Sequence, residues 1–239
     1  MDTKELLKDG LAALGIQAEA DTCDKFMRYK ALLQEWNQKM NLTAITEDKE
    51  VVVKHFLDSA SVFNAVKIKP GLRVVDVGSG AGFPGVPFKL LSPDSDMLLL
   101  DSLQKRIHFL NEVIAELDLK RIETVHMRAE DAGRDFNYRA QFDLCLSRAV
   151  ARLSVLAEYC LPLVKIGGDF VAMKGPDVAQ EISEAEIAVE ALGGEIVDVK
   201  TVLLPHSDIN HTFIVIKKNR QTSKKYPRIA AMISKIPIE

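Results

Sequence analysis

The chain has 239 residues, 47% of them hydrophobic and 27% charged, with a formal net charge of −3; this balance, near globular averages, favours neither a disordered nor a membrane protein. No apolar run approaches the roughly 18 residues of a membrane span, and the opening MDTKELLKDGLAALG mixes acids into its first turn where a secretion signal would be apolar, so a cytoplasmic protein with no membrane partner is expected. Cys23, Cys145 and Cys160 fit neither a disulfide framework nor a zinc pattern, and His206 and His211 stand five apart in a turn-like PHSDINH, so no metal site is expected.

Taken in chain order, the first element is a helix. From Asp21 to Met40 the apolar residues Phe26, Tyr29, Leu32, Leu33, Trp36 and Met40 recur at three- and four-residue steps, with Asp21 or Thr22 as the candidate cap. A turn at Asn41 and a cap-like Thr46 lead into another helix, so residues 1–65 read as a small N-terminal helical unit. Pro70 and Gly71 then make a turn, and the pattern changes to short apolar runs alternating with helical ones. Strands are expected near 73–77, 96–100, 122–127, 142–147, 168–174, 195–204 and 211–217, with helices near 84–92, 104–117, 152–163 and 178–191. Such alternation implies an α/β doubly wound sheet. Only LPHSDINH separates the last two strands, too little for a crossover, so they form an antiparallel hairpin. A mostly parallel, seven-stranded, Rossmann-like sheet with that ending resembles the class I methyltransferase fold.

Charge is uneven along this frame. Residues 1–70 carry 10 basic and 11 acidic groups, residues 71–216 carry 14 and 22, and residues 217–239 carry 7 and 1. The division expected is a helical unit over 1–65, a cofactor-binding domain over 66–217 and a basic tail over 218–239, the tail suiting an anionic partner.

The segment RVVDVGSGAGFPGVPFKLL, residues 73–91, admits two readings. From Gly80, G-x-G-x-x-G closing on Gly85 suggests a dinucleotide. From Gly78, an acid at a strand end followed by Gly78, Ser79, Gly80 and Gly82 suggests a nucleoside-sulfonium cofactor: Asp76 could organise the turn or bind the ammonium of the cofactor's amino-acid part, and it would repel a pyrophosphate. Two further strand ends favour a nucleoside. Asp101 is placed to accept hydrogen bonds from ribose hydroxyls, and Ala129 and Glu130 border a position for adenine, although Glu130 and Asp131 also suit a plain helix N-terminus. In the Gly80 reading, Gly85 belongs to the motif; in the Gly78 reading its spacing is coincidental.

The pieces LLQEWNQKMNLTAIT, HFLDS, DVGSGAGFPGVPFKL, DSLQKRIHFL, RAED, SRAVARLSVLAEYCLPLVKIGGDFVAMKG and KKYPR closely resemble the RsmG family, also called GidB. The resemblance covers nearly the whole chain, and the EWN-x-x-x-NLT and SRAVA pieces are specific to it. It implies methyl transfer from S-adenosylmethionine to N7 of one guanosine in 16S rRNA, free or in the small ribosomal subunit. It places Gly78, Phe83, Ala129, Glu130 and Arg148 on cofactor positions and Asp101, Ser102 and Leu103 on the ribose side. The family's KKYPR usually continues with a basic residue, glycine and proline, whereas this chain continues IAAMISKIP, which leaves the tail's path beyond Arg228 open.

N7 of guanine has a free lone pair and no proton to lose, so the chemistry needs positioning rather than a general base. Positioning candidates are Arg148, Asn41 and His55, each with a structural alternative. RNA-contact candidates are Arg152, Lys174, Lys224, Lys225 and Arg228. A monomer is expected. The competing readings are an NAD-dependent reductase, which would need a catalytic set that the sequence does not display, and a non-catalytic nucleoside-sensing regulator.

Overall fold

Side-chain alternation organises the centre of the chain. Along β1 (Arg73–Val77), Val74 packs into one hydrophobic core while Val75 and Val77 pack into another, as a strand covered on both faces requires. The computed structural model describes residues 2–148 and 151–238. Its other strands are β2 (Asp96–Asp101), β3 (Ile122–His126), β4 (Phe142–Arg148), β5 (Val164–Lys174), β6 (Gly194–Leu203) and β7 (Asn210–Lys218). They form one seven-stranded sheet in the order β3-β2-β1-β4-β5-β7-β6. β1 to β5 pair in parallel, and β7 runs antiparallel between β5 and β6. The expected hairpin ending is present. β5 begins four residues earlier than the sequence suggested, its register shifting against β4 between Phe142 and Leu144.

One face is covered by α1 (Thr3–Ala13), α2 (Ala20–Met40), a continuous helical stretch from α3 (Asp48–Val51) through a π-helical turn (Val52–Leu57) to α4 (Asp58–Ala60), and then α5 (Gly85–Leu91) and α6 (Gln104–Glu116). The N-terminal residues are helical as expected, and Phe26, Tyr29, Val52 and Phe56 share a core with Val74, Leu99, Leu146 and Met173 of the sheet. Neither Asp21 nor Thr22 caps α2. The helix starts one residue before Asp21, behind Glu19, which makes no side-chain capping bond; burial of the Cys23–Phe26–Tyr29 stripe sets the boundary instead.

The opposite face carries α7 (Ala129–Ala132), α8 (Leu153–Cys160), α9 (Ala179–Ala191) and the C-terminal segment with α10 (Ala230–Lys235). The tail begins inside the sheet, because Lys218 ends β7, and side chains of the body hold its first turns in place. Lys218 Nζ donates to the carbonyls of Leu161 (2.6 Å) and Leu192 (3.1 Å). Arg139 donates to the carbonyls of Gly133, Thr222 and Tyr226. The carbonyls of Gly133, Thr222 and Tyr226 lie outside regular ladders, and Arg139 satisfies them. All three cysteines are buried and unpaired.

Candidate active site

The glycine turn opens directly from the carboxyl end of β1. Gly78 and Gly80 lie at φ 76° and 60°, in the left-handed region that glycine enters without penalty. The amides of Gly78 and Ser79 reach the carbonyl of Leu100 on β2 at 2.8 and 3.1 Å. From behind, the hydroxyl of Tyr29 on α2 donates to the carbonyl of Ala81. Gly82, also at positive φ, is a packing residue: a Cβ there would meet the Tyr29 hydroxyl at 2.6 Å. It is not among the residues that line the cavity in front of the turn, unlike Gly78 and Gly80.

Asp76 belongs to the frame of the turn. It is fully buried, and its Oδ2 accepts the amide of Gly85 at 3.0 Å. Oδ1 has no partner. Burial pushes its carboxyl up to about 7, against the opposing effect of the Gly85 amide. Gly85 is therefore no accident of spacing. A Cβ at Gly85 would press on Asp76 Oδ2 at 2.8 Å and collide with Leu99, so the glycine permits the start of α5 to close over the Asp76 carboxyl.

In front of the turn is a cavity of about 520 Å³, lined by Gly78, Ser79, Gly80, Phe83, Asp101, Ser102, Arg106, Met127, Ala129, Glu130, Arg148 and Tyr159, and by Leu42, Thr43 and His55 from the helical layer. That volume is of ordinary small-ligand size. Asp101 ends β2 with its carboxylate buried; Oδ2 accepts Gly80 N at 2.8 Å and Arg106 Nη1 at 3.3 Å, and Oδ1 accepts Leu103 N at 2.9 Å. A carboxylate offers about four acceptor positions, so one remains, and a second opens when the long contact to half-exposed Arg106 yields. This fits a vicinal diol. Glu130, buried in the first turn of α7, and Ala129 border the same cavity, so the helix-start role and the cavity role coincide. Leu103 is exposed and outside the lining; its amide, rather than its side chain, engages Asp101.

A partition of two side chains closes the far end. His55, on the π-helical turn, stacks on Phe83 with ring centroids 4.4 Å apart, and the Arg148 guanidinium lies 5.0 Å from the same ring. His55 Nε2 meets Thr43 Oγ1 at 2.8 Å. Burial, reinforced by the Arg148 charge, lowers the imidazole to about 4, so it is neutral at physiological pH. Arg148 donates to Asp58 Oδ2 at 2.7 Å, while His211 Nδ1 hydrogen-bonds Asp58 Oδ1. Asp58 and His211 were missed as site residues, although Asp58 stands three places after His55 in HFLDS, the spacing of one helix face.

Other expected residues are engaged elsewhere. Asn41 takes φ 47° as the left-handed cap of α2 and stays outside the cavity, whereas its neighbours Leu42 and Thr43 line it. Lys174 is engaged within the chain: Nζ donates to the Ala151 carbonyl and to Glu181 Oε1 (2.6 Å), and the same Oε1 accepts Leu153 N at 2.6 Å at the start of α8. Arg228 grips buried Glu158 through its backbone N, Nε and Nη2 at 2.7–3.1 Å, so it fastens the tail. Arg152 is the exposed N-cap of α8 beside Asp177, Glu181 and Glu184, an acidic setting that disfavours phosphate. Lys224 and Lys225 are exposed, with Lys225 over the Tyr226 ring. Ala149 and Val150 of SRAVA lie outside the described residues. Among the described residues no cluster of metal-binding side chains occurs, and no helix is long and apolar enough to cross a membrane.

Sheet order, the single antiparallel strand and a nucleoside-sized cavity at the glycine turn define a class I methyltransferase fold. Solved structures share it: TrmN from Thermus thermophilus (TM-score 0.53, 17% identity, covering 70% of this chain and 53% of that one) and YcgJ from Bacillus subtilis (TM-score 0.53, 13% identity, 70% and 100%). Residues 22–210 match the family model GidB, rRNA small subunit methyltransferase G. Two curated proteins named ribosomal RNA small subunit methyltransferase G are similar over the full length of both chains, at 51% identity in Alkaliphilus oremlandii and 52% in Acetivibrio thermocellus. The chain belongs to the GidB family of rRNA small subunit methyltransferases.

Proposed function

We propose that this protein methylates N7 of a guanosine in 16S rRNA, using S-adenosylmethionine, as a cytoplasmic monomer. The observation that carries this reading is one cavity at the carboxyl ends of β1, β2 and β4, with two buried carboxylates, Asp101 and Glu130, on one side and the Arg148–His55 partition on the other. S-adenosylmethionine, when bound, supplies a sulfonium methyl group open to in-line attack. The glycine turn brings backbone close to the ligand, Asp101 receives the ribose hydroxyls, and Ala129 and Glu130 border the adenine.

Chain chemistry agrees with an acceptor that has no proton to lose. His55, held neutral and low in basicity, is a poor general base. Arg148 is neutralised by Asp58 and is a fixed donor with no proton to exchange. The remaining work is alignment. Lys224 and Lys225 are exposed cations of the tail that suit phosphate contacts.

The test is incubation with methyl-labelled S-adenosylmethionine and small-subunit RNA or subunits lacking the modification. Label is expected in RNA, with chain cleavage at one guanosine after reduction and aniline treatment, the signature of N7 methylation. Label at another atom would overturn the N7 assignment; no label, together with tight NADH binding, would overturn the whole reading.

A further inference from the structure

The glycine turn carries three left-handed glycines, Gly78, Gly80 and Gly82, and glycine is the residue that loses most backbone freedom on ordering. A turn of that composition needs ties from outside itself to keep one shape. At its tip the tie in front is Asp101, whose Oδ2 accepts Gly80 N at 2.8 Å. The tie behind is Tyr29, whose hydroxyl donates to the carbonyl of the next residue, Ala81, and Ala81 lines the cavity. We infer that Tyr29 of the helical layer is a positioning residue for the cofactor, fixing the Gly80–Ala81 segment from behind while Asp101 fixes it from the cavity side; the inference rests on the reading of that cavity as the S-adenosylmethionine site.

The hydroxyl is the first argument. Tyr29 is fully buried, its ring 5.5 Å from that of Phe56 and 5.4 Å from that of Phe83. A phenylalanine would fill such a core as well and bring no polar atom to desolvate. Among the described residues the hydroxyl has one hydrogen bond, and it goes to the glycine turn. Burial pushes the phenol well above its usual range, so it is a donor at neutral pH and far above it.

Space is the second. A Cβ on Gly82 would stand 2.6 Å from the Tyr29 oxygen, so the missing side chain at 82 is what lets the hydroxyl reach the carbonyl of the residue before it. The bond joins positions 52 apart, one in α2 and one in the turn. Two residues are thus committed to a single contact: a tyrosine that brings the donor and a glycine that clears its path.

Reach is the third. Phe83, two residues beyond Ala81, lines the cavity, packs against the Tyr29 ring and carries His55 on its face at 4.4 Å. Tyr29 therefore meets the turn at its carbonyl and at its aromatic wall. It stands outside the cavity lining itself, so it acts through the turn and not on the ligand.

The test compares wild type with Tyr29→Phe, which removes the hydroxyl and keeps the ring, and with Phe26→Leu, a core change on the same helix whose native ring lies 5.0 Å from Phe56. Calorimetry with S-adenosylhomocysteine, the demethylated product, gives Kd, and the melting temperature reports on folding. Expected for Tyr29→Phe is a rise in Kd of about five- to tenfold, the worth of roughly one neutral hydrogen bond. Cofactor KM should rise in step, with kcat and KM for small-subunit RNA within about twofold of wild type. Phe26→Leu should lower the melting temperature at least as much and keep Kd within about twofold, which is what a tyrosine that served packing alone would also show. A rise in Kd under about threefold for Tyr29→Phe overturns the assignment, as does an equal loss of affinity in Phe26→Leu. Should either variant fail to fold, hydrogen exchange on wild type decides: S-adenosylhomocysteine is expected to slow the α2 amides around Tyr29 more than those of α9 on the opposite face, and equal or no slowing overturns the assignment. Wild-type protein that binds no S-adenosylhomocysteine overturns the reading of the cavity itself, an outcome visible before any variant is compared.

Discussion

Arg148, the last residue of β4, meets Asp58, 90 positions earlier in the helical layer, at 2.7 Å, with Asp58 only 1% exposed. The pair ties the N-terminal helices to the sheet at the far end of the cavity. Removing one partner of a buried pair leaves the other charged in a poorly solvated place. Asp58→Ala is therefore expected to lose about 3–5 kcal/mol in urea unfolding. Asp58→Asn, which can still accept from Arg148, should lose less. Equal stability of Asp58→Ala and wild type would show that the pair contributes nothing.

Asp101 holds the amides of Gly80 and Leu103 and keeps acceptor capacity toward the cavity. Asp101→Ala removes an acceptor from the ligand and a brace from the glycine turn together. A hydrogen bond to a charged group contributes about 1.5–3 kcal/mol, so calorimetry should show S-adenosylmethionine affinity falling by one to two orders of magnitude. Unchanged affinity would displace Asp101 from the ribose position.

The sheet was legible because a strand buried on both faces is written as a short apolar run, and the eight residues of LPHSDINH permit only a hairpin. The acids at strand ends were legible for a related reason: Asp101 and Glu130 interrupt or follow apolar runs where a sheet opens its crevice. Pairings across the fold were not. Arg228 and Lys174 look like free cations in sequence, and nothing local announces that Glu158 and Glu181 wait for them 70 and 7 positions away. Asp58 was hidden the same way, since its partners Arg148 and His211 come from β4 and β7. Gly85 shows the reverse error: its spacing suggested coincidence, and only the closeness of Asp76 and Leu99 supplies the reason for it.

Asp76 gives a pH signature. Its carboxyl is raised from 3.8 to about 7 in the folded chain, chiefly by burial. The folded state then holds the proton more tightly than the unfolded one, so the stability from this group is complete below about pH 4 and is lost as pH rises through about 7. His55 acts in the opposite sense, being lowered from 6.5 to about 4: its contribution stands above 6.5 and fades on acidification. Comparison with Asp76→Asn isolates the aspartate. Between pH 5 and pH 8 the variant should gain on wild type by about 2–3 kcal/mol, since each tenfold difference in proton affinity between the folded and unfolded chain is worth about 1.4 kcal/mol. A stability difference independent of pH over that window would mean that Asp76 is ionised throughout.

The basic tail separates into two functions that a mutant series can resolve. Arg228 makes four hydrogen bonds to Glu158, whose carboxylate is 1% exposed, while Lys224 and Lys225 stand in solvent. Arg228→Ala should therefore unfold at lower denaturant, losing about 3–5 kcal/mol as Glu158 is left buried without its partner. Its restoration by Glu158→Gln in the same chain should be partial, because the amide still needs acceptors and donors. Lys224→Ala and Lys225→Ala should leave the unfolding midpoint unchanged and weaken RNA binding, each flattening the slope of log affinity against log salt by about 0.7 for a single-stranded contact. The reverse pattern, stable Arg228→Ala with an altered salt slope, would return Arg228 to the RNA surface and leave the tail without its anchor.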